Sequence, residues 1–285
     1  MSKLRVVDTA VSPPRVGKRL LRRVLKSDPG QEYIVYVPST GGQGAPLFVS
    51  VHGVSRNADQ HARLLSAYCE MYGVVLAAPA FGEEQHPDFQ RLGRAGRGKR
   101  ADLALNSIIG EVGTLTGCAA EKFFLFGFSG GAQFAHRYLM AHPHRVERAV
   151  IASAGWYTMP DPRRRFPHGI RSTKKLSDLM FDAEDFLRVP VQVMVGALDE
   201  KQKGVRHSEK LDREQGTNRI ERARSWTLAM KAAAEQHHLE SMVEFSEIEN
   251  CGHSFKKAIL RSGLGENVFE SLFGPLPSAS LSASE

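Results

Sequence analysis

The alternation of short, strongly apolar segments with segments of helical period most constrains the fold of this chain. Five segments have the length and the aromatic or β-branched content of buried strands. They are PLFVSVHG (46–53), VVLAAPAF (74–81), KFFLFGF (122–128), RAVIASAG (148–155) and VPVQVMVG (189–196). Between two of them, Leu105, Ile108, Ile109 and Val112 recur at helical spacing. This alternation predicts an α/β domain with a mostly parallel central sheet and helices on both faces.

The start of the chain departs from this pattern. SDPG (27–30) is a turn signal between two strand-like segments, RLLRRVL and EYIVYVP, and predicts an antiparallel start to the sheet. We therefore expect residues 1–30 to form a basic N-terminal arm and first strand, and residues 31–274 to form the α/β domain. The small, polar residues 275–285 are expected to be a disordered tail.

Two stretches interrupt the alternation. Residues 156–189 follow the strand that ends near Gly155 and include MPDPRRRFPHG, and residues 200–218 are polar throughout. Both follow strand ends, where α/β sheets place their ligand-binding loops. We interpret 156–189 as a small insertion, or lid.

Composition excludes several classes of protein. No apolar run approaches the roughly 20 residues that span a bilayer, and the N-terminus lacks the apolar segment of a secretory signal. Three cysteines without metal-like spacing favour reduced thiols, so we expect a cytoplasmic protein with no metal and no membrane partner. Residues 1–32 hold eight Lys and Arg against three Asp and Glu, which concentrates the net charge of +7 in the arm. A nearly neutral body argues against nucleic-acid binding.

The strongest chemical signal is a serine between glycines, Gly127-Phe128-Ser129-Gly130-Gly131, placed after a strand and before a helix. A serine hydroxyl is a poor nucleophile near neutral pH, so it needs a contacting base and a geometry that exposes it. A sharp strand-to-helix turn exposes the side chain and leaves space only for small residues two positions before and after it. The pattern therefore predicts a nucleophile elbow that presents Ser129.

An acid and a histidine follow in the order that such a fold requires. Asp199 comes just after the strand VPVQVMVG, and His253 lies in a loop after the last predicted strand, SMVEFSEIE. Loops at the carboxyl ends of neighbouring parallel strands meet at one edge of the sheet. We predict that His253 is the base for Ser129 and that Asp199 orients it. Asp182 and Asp185 are rival acids, but neither ends a strand.

The reaction also needs donors for a developing oxyanion. The amide of Gly130, directly after the nucleophile and at the positive end of a helix dipole, is one candidate. The other is the amide of Val54, since Gly53 before it permits a close approach.

Four motifs together, VHGVSRNADQ, GFSGG, VGALD and CGHSF, resemble the α/β-hydrolase superfamily. Within it the chain is similar to the polyhydroxybutyrate-depolymerase-like, feruloyl-esterase-like and dienelactone-hydrolase-like serine esterases, over roughly residues 30 to 265. The resemblance implies a Ser129–His253–Asp199 triad, oxyanion donors at Gly130 and Val54, and no cofactor. Secreted polymer-degrading members of this group carry signal peptides and often a binding module; we expect neither here, and therefore do not expect extracellular polymer hydrolysis.

Four residues are candidates for substrate contacts. The loop before the helix at Asp102 is rich in cations, and Arg97 or Arg100 is a candidate to pair with an anionic group on the substrate. The alternative is a solvated basic loop. Trp156 and Tyr157, at the carboxyl end of a strand, are equally consistent with an aromatic pocket wall and with core beneath the insertion.

The sequence therefore predicts a serine hydrolase that cleaves a carboxylic ester of a small or medium-sized substrate through an acyl-enzyme. A thioesterase, an amidase and a C–C bond hydrolase use the same triad, which does not determine the leaving group. A ligand-binding protein on a hydrolase scaffold is the non-enzymatic alternative, although a pure binder does not need all three groups. The sequence does not specify the oligomeric state.

Overall fold

A computed structural model describes residues 20–93, 98–173, 176, 178–201 and 204–276. One eight-stranded sheet runs through it in the order β1-β2-β4-β3-β5-β6-β7-β8. Its strands are β1 (Leu20–Leu25), β2 (Asp28–Tyr36), β3 (Pro46–Val51), β4 (Val75–Ala80), β5 (Ala119–Phe128), β6 (Val146–Ala152), β7 (Val191–Gly196) and β8 (Val243–Ile248). β1 and β2 pair antiparallel, as do β2 and β4, and every other neighbouring pair is parallel. The predicted fold class, with its antiparallel start, is confirmed.

Eight α-helices flank the sheet within the described residues. They are α1 (Ala58–Tyr72), α2 (Ala101–Thr116), α3 (Gly130–Ala141), α4 (Ala183–Leu187), α5 (Glu209–Gln215), α6 (Arg219–Gln236), α7 (Phe255–Arg261) and α8 (Leu264–Phe273). Apolar residues of α2, α3 and α6 pack in one core, and those of α1, α7 and α8 pack in a second core. Strand β3 serves both cores, because Leu47 and Val49 lie in the first and Phe48 lies in the second. Burial on both faces explains why this strand is almost uninterruptedly apolar.

The hairpin between β1 and β2 is present, but its turn lies earlier than SDPG predicts. Lys26 and Ser27 form the turn, and Asp28 already pairs with Leu25. The next ladder pair joins Val24 to Glu32, so Pro29 and Gly30 lie in a bulge of β2. Proline cannot donate to a strand ladder, which makes a bulge a favourable place for it.

Helix α1 is bounded by residues whose types favour the start and the end of a helix: Asn57 comes before its first residue and Gly73 after its last. The side chain of Asn57 accepts a hydrogen bond from the amide of Gln60 at 2.9 Å, which satisfies one of the free amides of the first turn. Gly73 ends the helix in the left-handed conformation at φ 64°. The loop that follows β3, next to the candidate site, ends at the start of this helix.

The insertion after β6 is ordered against the domain in the residues that are described. Phe166, Ile170 and Leu179 are buried there, and α4 closes the stretch before β7. The polar stretch 200–218 contains helix α5 and is therefore not wholly a loop. Within the described residues, no helix combines the length and apolar character needed to cross a bilayer. The predicted arm before Leu20, the tail from residue 277 onward and Arg97 lie outside the described residues.

Candidate active site

Ser129 lies at the sharp turn between β5 and α3. Its backbone has φ 55° and ψ −111°, a conformation that costs free energy for any residue with a Cβ. The amide of Ser129 donates to the carbonyl of Ala152 at 2.9 Å, which anchors the strained turn to the end of β6. Strain held in this way by the surrounding structure is typical of a functional position.

The flanking glycines are required by close backbone contacts. A Cβ on Gly127 would lie 2.2 Å from the carbonyl oxygen of Gly131, and one on Gly131 would lie 2.0 Å from that of Val51. No side chain fits at such distances. The glycines therefore allow the crossing of β5, α3 and the end of β3 that exposes Ser129.

Ser129, His253 and Asp199 form a continuous hydrogen-bonded chain. The Oγ of Ser129 lies 2.9 Å from Nε2 of His253, and Nδ1 of His253 lies 2.7 Å from Oδ2 of Asp199. A carboxylate only accepts hydrogen bonds, so Nδ1 carries the ring proton and Nε2 is left to accept the hydroxyl proton. The imidazole also stacks on Phe128, with 5.3 Å between ring centroids.

The loops that carry Asp199 and His253 are bound to each other. The amide of Leu198 donates to the carbonyl of Cys251 at 2.9 Å. Gly196 passes the same segment so closely that a Cβ would lie 2.2 Å from the Cys251 carbonyl oxygen. These contacts hold the acid and the histidine at the carboxyl edge of β7 and β8, beside the elbow.

Arg219 is a further residue at the site, in addition to those that the sequence predicts. Its Nη1 donates to Oδ1 of Asp199 at 3.0 Å, while Oδ2 of the same carboxylate accepts the hydrogen bond from Nδ1 of His253. Both side chains of this ion pair are at most 3% exposed. Arg219 is the first residue of α6 after the cap residue Asn218, and a buried arginine at that position has no signature in the sequence.

The two backbone amides that the sequence predicts as oxyanion donors lie close to each other. Gly130 is the first residue of α3, so its N–H has no carbonyl acceptor one turn earlier in the helix. The Cβ position of Gly130 is 3.0 Å from the amide nitrogen of Val54, which brings the two predicted donors side by side. His52 supports this loop: it accepts from the amide of Phe81 at 3.0 Å, and burial lowers its pKa to about 4.

A cleft of about 440 Å³ opens beside Ser129 and His253. Its walls come from the loop after β3, from the elbow and from the first turns of α1 and α7. They include Val54, Asn57, Gln60, Phe128, Phe255 and Lys256. This volume lies within the range of small-molecule binding sites. Among the described residues, no group of three or more His, Cys, Asp or Glu side chains is arranged to hold a metal ion.

Arg100 does not have the role considered in the sequence analysis. Its guanidinium binds both carboxylate oxygens of the buried Asp102, at 2.8 and 2.6 Å, and donates to Asp178 at 2.7 Å. The side chain therefore satisfies two carboxylates of the protein and joins α2 to the insertion. Its companion candidate, Arg97, lies outside the described residues.

The two aromatic candidates differ from each other. Tyr157 is core and not a pocket wall: it is fully buried and stacks on Trp226 with ring centroids 5.0 Å apart. Burial raises the pKa of Tyr157, so the phenol stays neutral. Trp156 is 5% exposed and is in contact with charged side chains.

The imidazole of His253 is bonded to Asp199 and to neither of the rival acids. Asp182 caps α4 by accepting from the amide of Glu184 at 2.9 Å. Asp185 lies beside Val146 and Pro190, near the amino ends of β6 and β7. Since Ser129 lies at the carboxyl edge of the sheet, neither aspartate is in the position of the acid.

Comparison with known proteins finds similar structures only. No family model matches the chain, and no curated protein matches it by sequence. It is similar to a poly(3-hydroxybutyrate) depolymerase from Bordetella parapertussis (TM-score 0.73, 23% identity, covering 87% of this chain and 86% of that one). It is also similar to poly(aspartic acid) hydrolase-1 from Sphingomonas sp. KT-1 (TM-score 0.69, 22% identity, 79% and 88% covered). A ferulic acid esterase is more distant (TM-score 0.56, 15% identity, 85% and 91% covered). At these sequence identities, the similarity shows that the proteins share a fold.

Proposed function

We propose, from the α/β-hydrolase fold that this chain adopts, that it is a serine hydrolase of carboxylic esters. The observation that carries the proposal is the chain of hydrogen bonds from Ser129 Oγ through His253 to Asp199, at 2.9 and 2.7 Å. The strained elbow and the adjacent amides of Gly130 and Val54 add the exposure and the oxyanion donors that acyl transfer needs.

The first half of the reaction forms an acyl-enzyme. His253 Nε2 takes the hydroxyl proton while Oγ of Ser129 attacks the ester carbonyl carbon, and the carbonyl oxygen becomes an oxyanion held by the two amides. The intermediate collapses as the C–O bond to the alcohol breaks. Nε2 gives its proton to the departing alkoxide, and the acyl group stays on Ser129.

The second half regenerates the enzyme. Water attacks the acyl-enzyme carbonyl as His253 takes one of its protons, and collapse of this second oxyanion releases the acid and returns the proton to Ser129 Oγ. Throughout, Asp199 accepts the hydrogen bond from Nδ1 and stabilises the imidazolium. Arg219 holds the other carboxylate oxygen, so the acid keeps one orientation.

The substrate is proposed to be small or medium-sized. A cleft of about 440 Å³ beside the serine supports that size. The names of the similar structures, a depolymerase, a hydrolase and an esterase, all describe hydrolysis and support the reaction class. The three cysteines are all buried and unpaired, which supports a reducing compartment such as the cytoplasm.

A thioester, an amide and a C–C bond remain alternative substrates of the same triad. A structure similar to this chain, an S-formylglutathione hydrolase from Agrobacterium tumefaciens (TM-score 0.53, 11% identity, 89% and 93% covered), carries a thioester hydrolase name. The ester, thioester and amide alternatives are distinguished by comparing kcat/KM for an aryl ester, a thioester and an anilide that carry the same acyl group.

The test of the proposal is hydrolysis of 4-nitrophenyl acetate by the wild-type protein and by Ser129→Ala. We expect the variant to lose at least about 10³-fold in kcat/KM with an unchanged thermal unfolding midpoint. Ser107→Ala, at an exposed serine of α2, is the matched control and should retain wild-type activity. Equal hydrolysis by wild type and Ser129→Ala would contradict the proposal, and no hydrolysis of any ester by the wild type would favour the ligand-binding alternative.

A further inference from the structure

A cationic and aromatic cluster surrounds Trp156, and the reaction described above does not use it. The guanidinium carbons of Arg137 and Arg206 lie over the indole, 4.2 and 5.6 Å from the ring centroid. The ring of His168 lies 5.2 Å from the same indole. We call these four residues, Arg137, Trp156, His168 and Arg206, the Trp156 cluster.

The cluster is connected to the catalytic serine through α3 and the end of β6. Ser129 donates its amide to Ala152, four residues before Trp156. Gln133, one turn after Ser129, accepts from Nη1 of Arg137 at 3.1 Å through its carbonyl. The side-chain amide of Gln133 is 3.1 Å from the Cβ position of Gly155, directly before the tryptophan.

A second connection comes from the loop that carries the catalytic acid. Arg206 follows Asp199 along the same loop. Gly204, in that loop, lies beside Arg219: a Cβ added to this glycine would be 3.6 Å from Nη2 of the arginine. Arg219 is the residue that binds Asp199. The loops after β6 and β7 therefore converge on Trp156 at the carboxyl edge of the sheet.

The cluster holds a buried positive charge whose hydrogen-bond acceptors are all neutral. Arg137 is fully buried and donates to the hydroxyl of Thr158 and to the carbonyls of Gln90 and Gln133, at 2.7 to 3.1 Å. Its Nη2 has no hydrogen-bond partner among the described residues. The nearby carboxylate of Asp88 is itself bound by Arg91. Burying a guanidinium without a direct anion is costly, and such costs are typically accepted at functional sites.

The surroundings of the cluster are also positive. Burial lowers the pKa of His168, and the charges of Arg206, Arg164, Arg137 and Lys210 lower it further. Arg164 is neutralised by its ion pair with Glu214. Arg206 is exposed and has no carboxylate within ion-pair distance in the described part of the chain. An anion placed at Trp156 would therefore meet uncompensated positive charge.

We propose that the Trp156 cluster binds a carboxylate on the acyl portion of the substrate, so that the enzyme prefers acyl chains ending in a free acid. The proposal rests on the proposed ester hydrolysis and names its substrate class. Arg206 supplies an exposed guanidinium fork for the carboxylate, and the indole of Trp156 fixes the position of that guanidinium through a cation–π contact. Arg137 acts through Trp156, which it holds in place, and through its buried charge.

The direction of the acyl chain follows from the position of the base. His253 protonates the leaving group, so the alcohol departs on the side of the cleft that His253, Phe255 and Lys256 line. None of the four residues of the Trp156 cluster lines that cleft. The acyl chain, on the opposite side of the reacting carbon, is the part directed to the cluster.

The test compares two esters that share a six-carbon acyl chain, mono(4-nitrophenyl) adipate and 4-nitrophenyl hexanoate. We expect the wild type to favour the adipate, and Arg206→Gln to lower the adipate-to-hexanoate ratio of kcat/KM about tenfold, which corresponds to about 1.4 kcal/mol. Arg206→Lys keeps the positive charge and should therefore lower this ratio less than Arg206→Gln does. Added salt should lower the ratio for the wild type, because it screens the exposed charge. Arg188→Gln, at an exposed arginine near the amino ends of β6 and β7, is the matched control and should leave the ratio unchanged.

The outcomes separate this proposal from the one on which it depends. If the wild type hydrolyses both esters but Arg206→Gln changes kcat/KM for both by the same factor, the carboxylate site is refuted. The proposed hydrolase activity is then unaffected. If neither ester is hydrolysed, the proposed function fails first. A tenfold fall in the ratio for Arg188→Gln would also overturn the proposal, because it would show a general effect of surface charge.

Discussion

Replacing Arg219 is the change whose consequence can be worked out most fully from the structure. Its Nη1 lies 3.0 Å from Oδ1 of Asp199, and both side chains are almost fully buried. Two unit charges about 4 Å apart interact by about 4 kcal/mol at an effective dielectric constant near 20. Removing one partner leaves a buried charge without compensation, which typically costs about 3–5 kcal/mol. We expect Arg219→Met to lower the free energy of unfolding by roughly that amount.

The effect on catalysis should be smaller than the loss of the acid itself. Asp199→Asn is expected to lower kcat by about 10³- to 10⁴-fold, because His253 loses its orienting anion. Arg219→Met keeps the anion but removes one charge-assisted hydrogen bond that fixes its orientation, a bond worth about 1.5–3 kcal/mol. We therefore expect kcat to fall about 10- to 100-fold with little change in KM. Arg219→Lys retains the charge and should recover part of the loss.

The assay combines steady-state kinetics on 4-nitrophenyl acetate with thermal unfolding of the same samples. Arg222→Met is a useful comparison, since Arg222 is also a buried arginine of α6 but binds Asp212 and the carbonyl of Gly155. It should lose stability with a smaller loss of kcat. If Arg219→Met unfolds at lower temperature yet keeps kcat within twofold of wild type, Arg219 is merely structural and the positioning argument is refuted.

Three further changes follow from the contacts. Gly131→Ala places a Cβ 2.0 Å from the Val51 carbonyl and should cost at least about 2 kcal/mol in denaturant unfolding, whereas Gly82→Ala, with open space at its Cβ, should be near neutral. Arg100→Gln should lower stability and change charged and neutral esters by equal factors; a selective loss on charged esters would restore it as a substrate contact. Burial lowers the pKa of His52 from 6.5 to about 4, so the unfolded state binds the extra proton and about 3 kcal/mol of stability is lost as pH falls across that window. His52→Asn should flatten the pH dependence of the unfolding free energy there, and an unchanged slope would contradict the assignment.

Features encoded by local sequence were predictable. Asn57 and Gly73 bound α1 because capping depends on residues within one or two turns. The elbow is also encoded locally, since the lack of a side chain at Gly127 avoids a clash with the carbonyl of Gly131 within the turn itself. The order of the acid and the histidine was informative because the carboxyl ends of parallel strands meet at one edge.

Features that depend on tertiary contacts were not predictable. The sequence around Arg100 indicates only a basic loop, and its two carboxylate partners come from α2 and the insertion. Trp156 and Tyr157 are adjacent in sequence, yet only the second is packed on Trp226, on a helix that the pattern did not predict. Arg219 meets Asp199 only because α6 begins beside the end of β7. Buried ion pairs of this kind carry no local signal.

The central claim is that Ser129 is an activated nucleophile, and covalent labelling tests it most directly. After incubation with a fluorophosphonate, the intact mass should show one adduct, and peptide mapping should place it on Ser129. Ser129→Ala should not be labelled, and His253→Ala should be labelled at least about 100-fold more slowly because the hydroxyl has lost its base. Absence of an adduct on the folded wild type, or an adduct that persists in Ser129→Ala, would contradict the account.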